Sequence, residues 1–174
     1  MMPQLDVDGL LFTFPDLWTV GKYDDWTFYR TRWEAAWKGA MAVDVIAVGP
    51  DRTVWLIEVK DYNHPSVEPP SGLADVVARK VFDTLAALLP ARVDAEDEDE
   101  RRLATLSTEA KKLRVVLHME QRPARSRLWP HAIKPADIRQ KLKQRLKPVD
   151  RYALISEIAQ PHGVPWVVSR APAI

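Results

Sequence analysis

Residues 42–63, AVDVIAVGPDRTVWLIEVKDYN, decide the fold of this chain. Two apolar runs in this stretch are rich in the β-branched, aliphatic and aromatic residues that favour strands. Between them lie Gly49, Pro50, Asp51 and Arg52, a composition typical of a tight turn. The stretch therefore predicts a largely buried β-hairpin.

Three charged residues interrupt the apolar hairpin: Asp44 in the first run, and Glu58 and Lys60 in the second. Side chains alternate between the two faces of a strand, so Glu58 and Lys60 project on the same side. If the strands pair around the Gly49 turn, Asp44 falls opposite Ile57 or Glu58. Two carboxylates and one ammonium then converge, an arrangement that apolar surroundings disfavour unless the charges are paired or bind a metal ion.

A divalent cation would relieve the repulsion between two neighbouring carboxylates. Hard oxygen ligands suit Mg²⁺ or Mn²⁺ and leave room for water and a phosphate oxygen. Such an ion can activate water against a phosphodiester, and Lys60 would help to activate that water or to stabilise the transition state. The alternative is structural: Asp44 at a strand end, with Glu58 and Lys60 on a solvated edge strand.

The order of these residues carries a family resemblance. Asp44, followed by Glu58, Val59 and Lys60, resembles the D…(D/E)-x-K signature of the restriction-endonuclease-like, or PD-(D/E)XK, nuclease superfamily, although Val43 stands where the signature often has proline. The resemblance implies a mixed α/β fold with an αβββαβ core, whose central sheet is flanked by helices. It also implies that Asp44, Glu58 and the Val59 carbonyl bind Mg²⁺ or Mn²⁺, and that Lys60 serves the water nucleophile.

A helix is predicted before the hairpin, capped by Asp24 or Asp25 and running to about Gly39. Its aromatic residues and alanines recur at helical spacing, which predicts one buried stripe that includes Trp37. The resemblance implies a further catalytic carboxylate on this helix, and Glu34 is the matching candidate. The alternative for Glu34 is a surface residue that pairs with a basic residue one turn away.

A second helix is predicted after the hairpin, from Ser71 through Leu89, with Pro90 ending it. Lys80 lies at the border of its apolar stripe. The resemblance implies that Lys80 faces the scissile phosphate, whereas the alternative is a solvated lysine. The superfamily resemblance covers residues 24–89 well and the rest of the chain only through the order of elements.

The length and composition of the chain limit the class of protein to which it can belong. A length of 174 residues suits one domain with a real core, so we expect a single nuclease-like domain over residues 1–174. The absence of cysteine excludes disulfides and thiolate metal sites. No basic leader precedes an apolar run, and no stretch approaches the roughly eighteen apolar residues of a membrane span. We therefore expect a cytoplasmic protein without a membrane partner.

Charge is distributed unevenly along the chain. Residues 1–112 hold 13 Lys and Arg against 20 Asp and Glu, a formal charge of −7, and residues 113–174 hold 12 against 4, a formal charge of +8. Such a basic half favours a phosphodiester substrate. The candidate nucleic-acid contacts are Arg122, Arg125 and Arg127 near Trp129, and Lys141 on a basic helix that begins at Pro135.

The expected function is metal-dependent hydrolysis of phosphodiester bonds in nucleic acid, with DNA favoured by the resemblance alone, in defence or repair. No base-reading motif is evident, so a protein partner would supply targeting. A homodimer is a further expectation, because small nucleases often dimerise to cut two strands. The alternative is a catalytically inactive nuclease-like module that binds nucleic acid or a partner protein.

Overall fold

The computed structural model describes residues 1–63, 71–121 and 133–171, and this part of the chain holds eight strands and four helices. The strands are β1 (Gln4–Val7), β2 (Leu10–Thr13), β3 (Thr19–Lys22), β4 (Val45–Val48), β5 (Thr53–Asp61), β6 (Lys112–Glu120), β7 (Leu154–Ser156) and β8 (Val167–Arg170). The helices are α1 (Glu34–Ala36), α2 (Leu73–Asp94), α3 (Glu98–Thr108) and α4 (Pro135–Arg145). None of the described helices is both long and apolar enough to cross a membrane.

The predicted hairpin is confirmed as β4 and β5 of a five-stranded sheet with the order β3-β4-β5-β6-β7. Strands β3, β4 and β5 pair antiparallel, whereas β5, β6 and β7 pair parallel, so the sheet is mixed. At the turn, the Gly49 amide donates a hydrogen bond of 3.0 Å to the Thr53 carbonyl. The strand that carries Glu58 and Lys60 is therefore central, with a partner on each side.

Two apolar layers cover the two faces of this sheet. Residues from α2, α3 and α4 pack on one face, with Leu56 and Leu117 among the sheet residues they meet. The other face is covered by a three-stranded sheet, β1-β2-β8, whose Phe12 belongs to the same apolar cluster as Trp55 and Ile57. The mixed α/β class is confirmed, but helices cover only one face of the central sheet in the described residues.

The helix predicted over residues 24–39 is shorter and irregular. Tyr23–Asp25 form a 3₁₀ turn, Tyr29–Trp33 form a π-helical turn, and α1 follows directly. A π turn takes more residues than an α turn, so residues beyond it leave the stripe expected at 3.6-residue spacing. Trp37 is consequently exposed, and its predicted burial was wrong.

The prediction that Pro90 ends the second helix was also wrong, because α2 continues through Pro90 to Asp94. Proline inside a helix removes a hydrogen bond and costs about 3 kcal/mol. Packing against α3 offsets this cost: Ala91 is buried, and the Arg92 guanidinium donates a hydrogen bond of 3.1 Å to the Thr108 hydroxyl. Tertiary contacts therefore override the local signal for a helix end.

Candidate active site

The three charged residues of the hairpin lie on one side of the sheet. Val45 pairs with Ile57, and continuing this register places Asp44 beside Glu58, one of the two partners that the sequence left open. Because side chains alternate, Glu58 and Lys60 share the face of Leu56, the face covered by the helices. The geometry required for a common site is therefore present.

Glu58 is the centre of this arrangement. Its side chain is fully buried, and its Oε1 atom lies 2.6 Å from the Lys60 Nζ atom and 2.6 Å from the Lys80 Nζ atom of α2. Its Oε2 atom is buried without a hydrogen-bond partner in the described part of the chain. We call Asp44, Glu58, Lys60 and Lys80 the carboxylate–lysine cluster. Neither the solvated edge strand nor the solvated Lys80 fits this geometry.

Asp44 is held by the opposite strand. Its Oδ2 atom accepts a hydrogen bond of 2.6 Å from the backbone amide of Val59, and the residue is almost buried. This bond ties the carboxylate to the residue between Glu58 and Lys60. The orientation of Asp44 is thus fixed by the strand that carries the other two groups.

Burial and neighbouring charges together shift the pKa values of Glu58 and Lys60. Burial raises the pKa of Glu58, the neighbouring Asp44 raises it further, and Lys80 and Lys60 oppose both effects without cancelling them. Burial alone would lower the pKa of Lys60, but the Glu58 carboxylate and Asp44 together outweigh it and raise that pKa. The ionised Glu58 carboxylate is therefore destabilised by its surroundings, and an additional cation at Oε2 would stabilise it.

Helix α2 supplies Lys80 and also holds the segment that precedes Asp44. One turn after Lys80, the Asp83 Oδ2 atom accepts a hydrogen bond of 2.8 Å from the Met41 amide. The hydroxyl of Thr84 accepts one of 3.1 Å from the Val43 amide, in a buried setting. The segment that leads into Asp44 is therefore fixed by the same helix that supplies Lys80.

Asp24 is a residue of this region that sequence reasoning missed. The Tyr23 amide donates a hydrogen bond of 2.9 Å to the Asp44 carbonyl, which brings the 3₁₀ turn beside the cluster. The Asp24 Oδ1 atom is buried without a hydrogen-bond partner in the described residues. Burial raises the pKa of Asp24, and the charge of Asp44 raises it further. A third carboxylate thus approaches the site.

The sequence assigned Asp24 or Asp25 to a helix cap, and that prediction was wrong. Glu100 of α3 accepts the hydrogen bonds of the Thr27 amide at 2.6 Å and the Phe28 amide at 3.1 Å, across more than seventy positions of sequence. Because this distant carboxylate satisfies the helix start, Asp24 has no capping role. No local sequence signal distinguishes these two outcomes.

No hydrogen bond or ion pair of the described residues joins Glu34 to the cluster. Glu34 is exposed on α1, where its charge acts on Tyr29, whereas the charges that act on Glu58 are those of Asp44 and the two lysines. Lys141 is exposed on α4 and lines a cavity of about 320 Å³ between α2 and α4. The remaining candidates lie outside the described residues: Arg122, Arg125 and Arg127.

A second polar cluster lies at the same ends of β5 and β6 but on the opposite face. We call it the histidine cluster; its members are Asp61, His118, Glu120, Ser156 and Arg170. The Arg170 guanidinium donates to Asp61 at 2.6 Å, and the His118 Nδ1 atom lies 3.0 Å from the Ser156 hydroxyl. The Glu120 Oε1 atom accepts from the Ile158 amide at 2.6 Å. The carboxylates of this cluster are bonded within the fold, whereas the His118 Nε2 atom is buried without a hydrogen bond from the described residues, 3.1 Å from the Glu120 Oε1 atom.

The side chains present suit a small hard cation with few protein ligands. Within the described ranges, no group of three or more His, Asp or Glu side chains is arranged to hold a metal ion. Asp44 and Glu58 nevertheless supply oxygen donors, one of them the buried and unpartnered Oε2 of Glu58. Mg²⁺ is commonly bound through one or two carboxylates and retains several waters, so the donor set fits this ion.

Comparison with known proteins gives a partial likeness. The chain is 31% identical over 206 residues to a cysteine–tRNA ligase of Neisseria meningitidis serogroup A / serotype 4A (strain DSM 15465 / Z2491). The match covers 92% of this chain, but the chain spans only 29% of the length of that relative. No family model and no solved structure matches the chain.

Proposed function

We propose that this chain is a metal-dependent nuclease with a restriction-endonuclease-like core, which hydrolyses phosphodiester bonds in nucleic acid. The observation that carries the proposal is the buried Glu58 carboxylate, with two ammonium groups on one oxygen and no partner on the other among the described residues, beside Asp44. A buried charge that lacks part of its compensation is costly, and sites with such groups are candidates for function.

Asp44, Glu58 and the Val59 carbonyl would hold Mg²⁺ or Mn²⁺. When bound, the ion would lower the pKa of a water molecule and neutralise charge on the phosphate. The hydrogen bond from the Val59 amide keeps the Asp44 carboxylate oriented toward Glu58. Glu58 contributes its free oxygen, because the other is already occupied by the two lysines.

Lys60 and Lys80 are the more exposed members of the cluster, with side chains 27% and 16% exposed. Their ammonium groups would donate hydrogen bonds to the phosphate oxygens, where negative charge accumulates during attack. Lys60 would also orient the attacking water. Because both lysines are held by Glu58, their positions are set before the substrate arrives.

DNA is the favoured substrate class, and RNA should be tested as a substrate beside it. The relative's name, cysteine–tRNA ligase, states that it acts on an RNA. Exposed Lys141 and Arg145 on α4 line the cavity beside the start of α2 and would contact the substrate backbone. Arg145 also pairs with Asp75 at this place.

The test is cleavage of plasmid DNA, single-stranded DNA and RNA in Mg²⁺, in Mn²⁺ and in excess chelator. We expect Asp44→Asn and Glu58→Gln each to reduce the rate by about 10²–10³-fold. Asp61→Asn is the matched control, since Asp61 lies on the same strand but faces the histidine cluster. Equal cleavage by wild type and both cluster variants would contradict the proposal.

A non-catalytic binding module is the second candidate, and one observation favours it. Asp44 and Glu58 carry two negative charges and Lys60 and Lys80 carry two positive charges, so the cluster is formally neutral without a cation. Nucleic-acid binding that persists in Asp44→Asn, with no cleavage by any variant in either metal, would favour this module.

A further inference from the structure

Trp37 is an exposed tryptophan in the segment that leads from α1 to the hairpin. It is 67% exposed, whereas Trp26 and Trp55 are buried. A packed tryptophan buries about 150–250 Å², so the fold forgoes a large apolar contribution at this position. The cause is the π-helical turn at Tyr29–Trp33, which takes Trp37 out of the buried stripe. Turns of this kind are rare and frequently lie at functional sites.

The backbone around Trp37 is held in place. The Trp37 amide donates a hydrogen bond of 2.9 Å to the Trp33 carbonyl, and the Trp37 carbonyl accepts one of 2.9 Å from the Ala40 amide. The Ala40 carbonyl accepts one of 3.0 Å from the Tyr29 hydroxyl. Gly39 closes this turn at a φ of +85°, which glycine adopts without strain. The ring is therefore presented on a fixed backbone, which lowers the entropy lost when a ligand binds to it.

The segment after Trp37 runs along the side of α2. The Gly39 carbonyl accepts a hydrogen bond of 3.1 Å from the Arg79 guanidinium, and the Met41 amide donates one of 2.8 Å to Asp83. From residue 39 to residue 41 the chain thus moves from an earlier to a later turn of α2. Trp37 precedes both contacts, so it lies toward the start of that helix.

The start of α2 lies at the edge of the central sheet that holds the candidate active site. Lys80, in the first half of α2, contacts Glu58 near the carboxyl end of β5. Leu88, in the second half, lines a groove together with Leu113 at the beginning of β6. Trp37 is therefore exposed at the rim of the carboxylate–lysine cluster.

A fixed and exposed indole ring suits one feature of nucleic acid, the flat face of a base. Stacking of a base on an aromatic side chain tolerates any sequence and is a common mode of single-strand binding. In a continuous duplex the faces of the bases are covered by their neighbours, so a ring at the rim of a site can stack only on an unpaired base.

Two cations flank the ring and fit the phosphates next to such a base. Lys38 is exposed, and the Arg79 side chain is 59% exposed. The Asp83 Oδ2 atom lies 3.6 Å from the Arg79 Nε atom, so part of this positive charge is already compensated. Stacking on Trp37, rather than charge, would therefore supply most of the affinity at this place.

We propose that Trp37 stacks on an unpaired base of the substrate, so that the chain acts on single-stranded nucleic acid rather than on continuous duplex. The inference rests on the proposed function, because that function puts the scissile phosphate at Lys60 and Lys80. A strand held there would pass Trp37 at the rim of the site. Trp37 would then determine specificity without touching the reacting atoms.

Fluorescence anisotropy in excess chelator tests the proposal, because binding is then measured without cleavage. The probes are single-stranded DNA, single-stranded RNA and duplex DNA of one sequence. We expect the wild type to bind a single strand more tightly than the duplex. Trp37→Ala should weaken single-strand binding by about 5- to 150-fold and leave duplex binding unchanged, and Trp37→Phe should retain part of the affinity.

Tyr152→Ala is the matched control. Tyr152 is 62% exposed and precedes β7, which runs parallel to β6, so this aromatic residue lies at the opposite edge of the sheet from the candidate active site. Its substitution should leave binding of all three probes unchanged. Circular dichroism should be the same for every variant, since both rings are exposed.

An abasic position moved along the single strand locates the contact. At one position, loss of the base should weaken binding by the wild type about as much as Trp37→Ala does. The same abasic strand should bind Trp37→Ala no more weakly than the intact strand does, because the two changes remove one interaction. Additive losses at every position would overturn the stacking contact.

The outcomes separate this inference from the proposed function. Cleavage that requires Asp44 and Glu58, with single-strand binding unchanged in Trp37→Ala, would overturn the stacking contact and leave the nuclease proposal in place. Single-strand binding that depends on Trp37, without cleavage by the wild type in either metal, would keep the stacking contact and reject the nuclease. Equal affinity of the wild type for single strand and duplex would overturn the inferred substrate preference.

Discussion

The two polar clusters share the carboxyl end of β5, take alternate residues of that strand to opposite faces of the central sheet, and behave differently. Glu58 and Lys60 face the helices, whereas Asp61 faces the small sheet with His118. In the histidine cluster, Asp61 has Arg170 and Asn63 as partners. In the carboxylate–lysine cluster, Glu58 retains an oxygen without a partner in the described part of the chain.

The difference teaches how to separate structural charges from candidate functional ones. A buried charge whose bonds close within the fold contributes to stability, and its residues are explained by that role. The Glu58 Oε2 and Asp24 Oδ1 atoms lack such partners in the described residues, and both adjoin Asp44. The His118 Nε2 atom of the histidine cluster is also buried without a hydrogen bond among those residues, 3.1 Å from the Glu120 Oε1 atom. A buried carboxylate oxygen without a partner in the described residues, rather than buried charge alone, therefore marks the helix-facing cluster as the candidate site.

Metal addition should produce the largest difference between the clusters. Mg²⁺ or Mn²⁺ bound at Asp44 and Glu58 should stabilise the folded chain by about 2.7 kcal/mol when the ion is at 100 times its dissociation constant. Differential scanning calorimetry with and without chelator measures this effect. Glu58→Gln should abolish the metal-dependent shift, and Asp61→Asn should retain it. A shift that survives in Glu58→Gln would place the ion elsewhere.

Removing the Thr84 hydroxyl should have the next largest effect. Thr84→Val preserves the shape of the side chain but leaves the buried Val43 amide without its acceptor, at a cost of about 1–3 kcal/mol. The metal-dependent shift should also shrink, because the segment that leads into Asp44 is loosened. Urea denaturation with and without Mn²⁺ measures both effects.

Thr84→Ser is the control, since it keeps the hydroxyl at the same place. If Thr84→Val lowers stability but leaves the metal-dependent shift at its wild-type size, the hydroxyl supports the fold alone. A positioning role for Thr84 would then be wrong.

The histidine cluster should make stability sensitive to acid. Burial lowers the pKa of His118, although Glu120 opposes the effect. The unfolded chain therefore binds this proton more readily, so stability that is fully present above a pH of about 6.5 is lost as the pH falls toward the folded-state pKa. His118→Gln should reduce this acid-dependent loss in urea denaturation between pH of about 8 and about 5. An unchanged dependence would exclude His118 as its source.

The shifted pKa of Glu58 makes folding stability depend on pH in the opposite direction. Its folded-state pKa is raised, so its contribution is most favourable below the ordinary glutamate pKa of about 4.3 and declines as the pH rises through the folded value. The two faces of the same strand ends therefore respond to pH in opposite directions. Bound metal should reduce the Glu58 effect, because a cation stabilises the ionised carboxylate.

Local signals were enough to predict the hairpin and the shared face of its charges. The turn and strict alternation limited the partner of Asp44 to Ile57 or Glu58, and the pairing of Val45 with Ile57 in the structure selects Glu58. The course of α2 past Pro90 depends on α3, and the π turn at Tyr29–Trp33 has no clear sequence signature. These features are set by tertiary packing, which periodicity does not report.

The same reasoning separates Lys80 from Glu34 as predicted site residues. Lys80 follows from α2 packing on the sheet with its border facing β5, a consequence of the apolar stripe. Glu34 depended on a regular helix between Asp24 and Gly39, and the 3₁₀ and π turns remove that regularity. The nearby carboxylate is Asp24, freed from capping by Glu100.

The smallest expected effect is a difference in Mn²⁺ affinity between variants of Asp24 and Glu34. Asp24→Asn should weaken Mn²⁺ binding by about tenfold, as removal of an outer-shell group does, because a negative charge near Asp44 would be lost. Glu34→Gln removes an equal charge from an exposed position and should leave the affinity unchanged. Isothermal titration with Mn²⁺ measures both variants. If both substitutions weaken Mn²⁺ binding equally, the ion responds only to long-range charge. If Asp24→Asn alone weakens it, the metal site extends to the turn after β3.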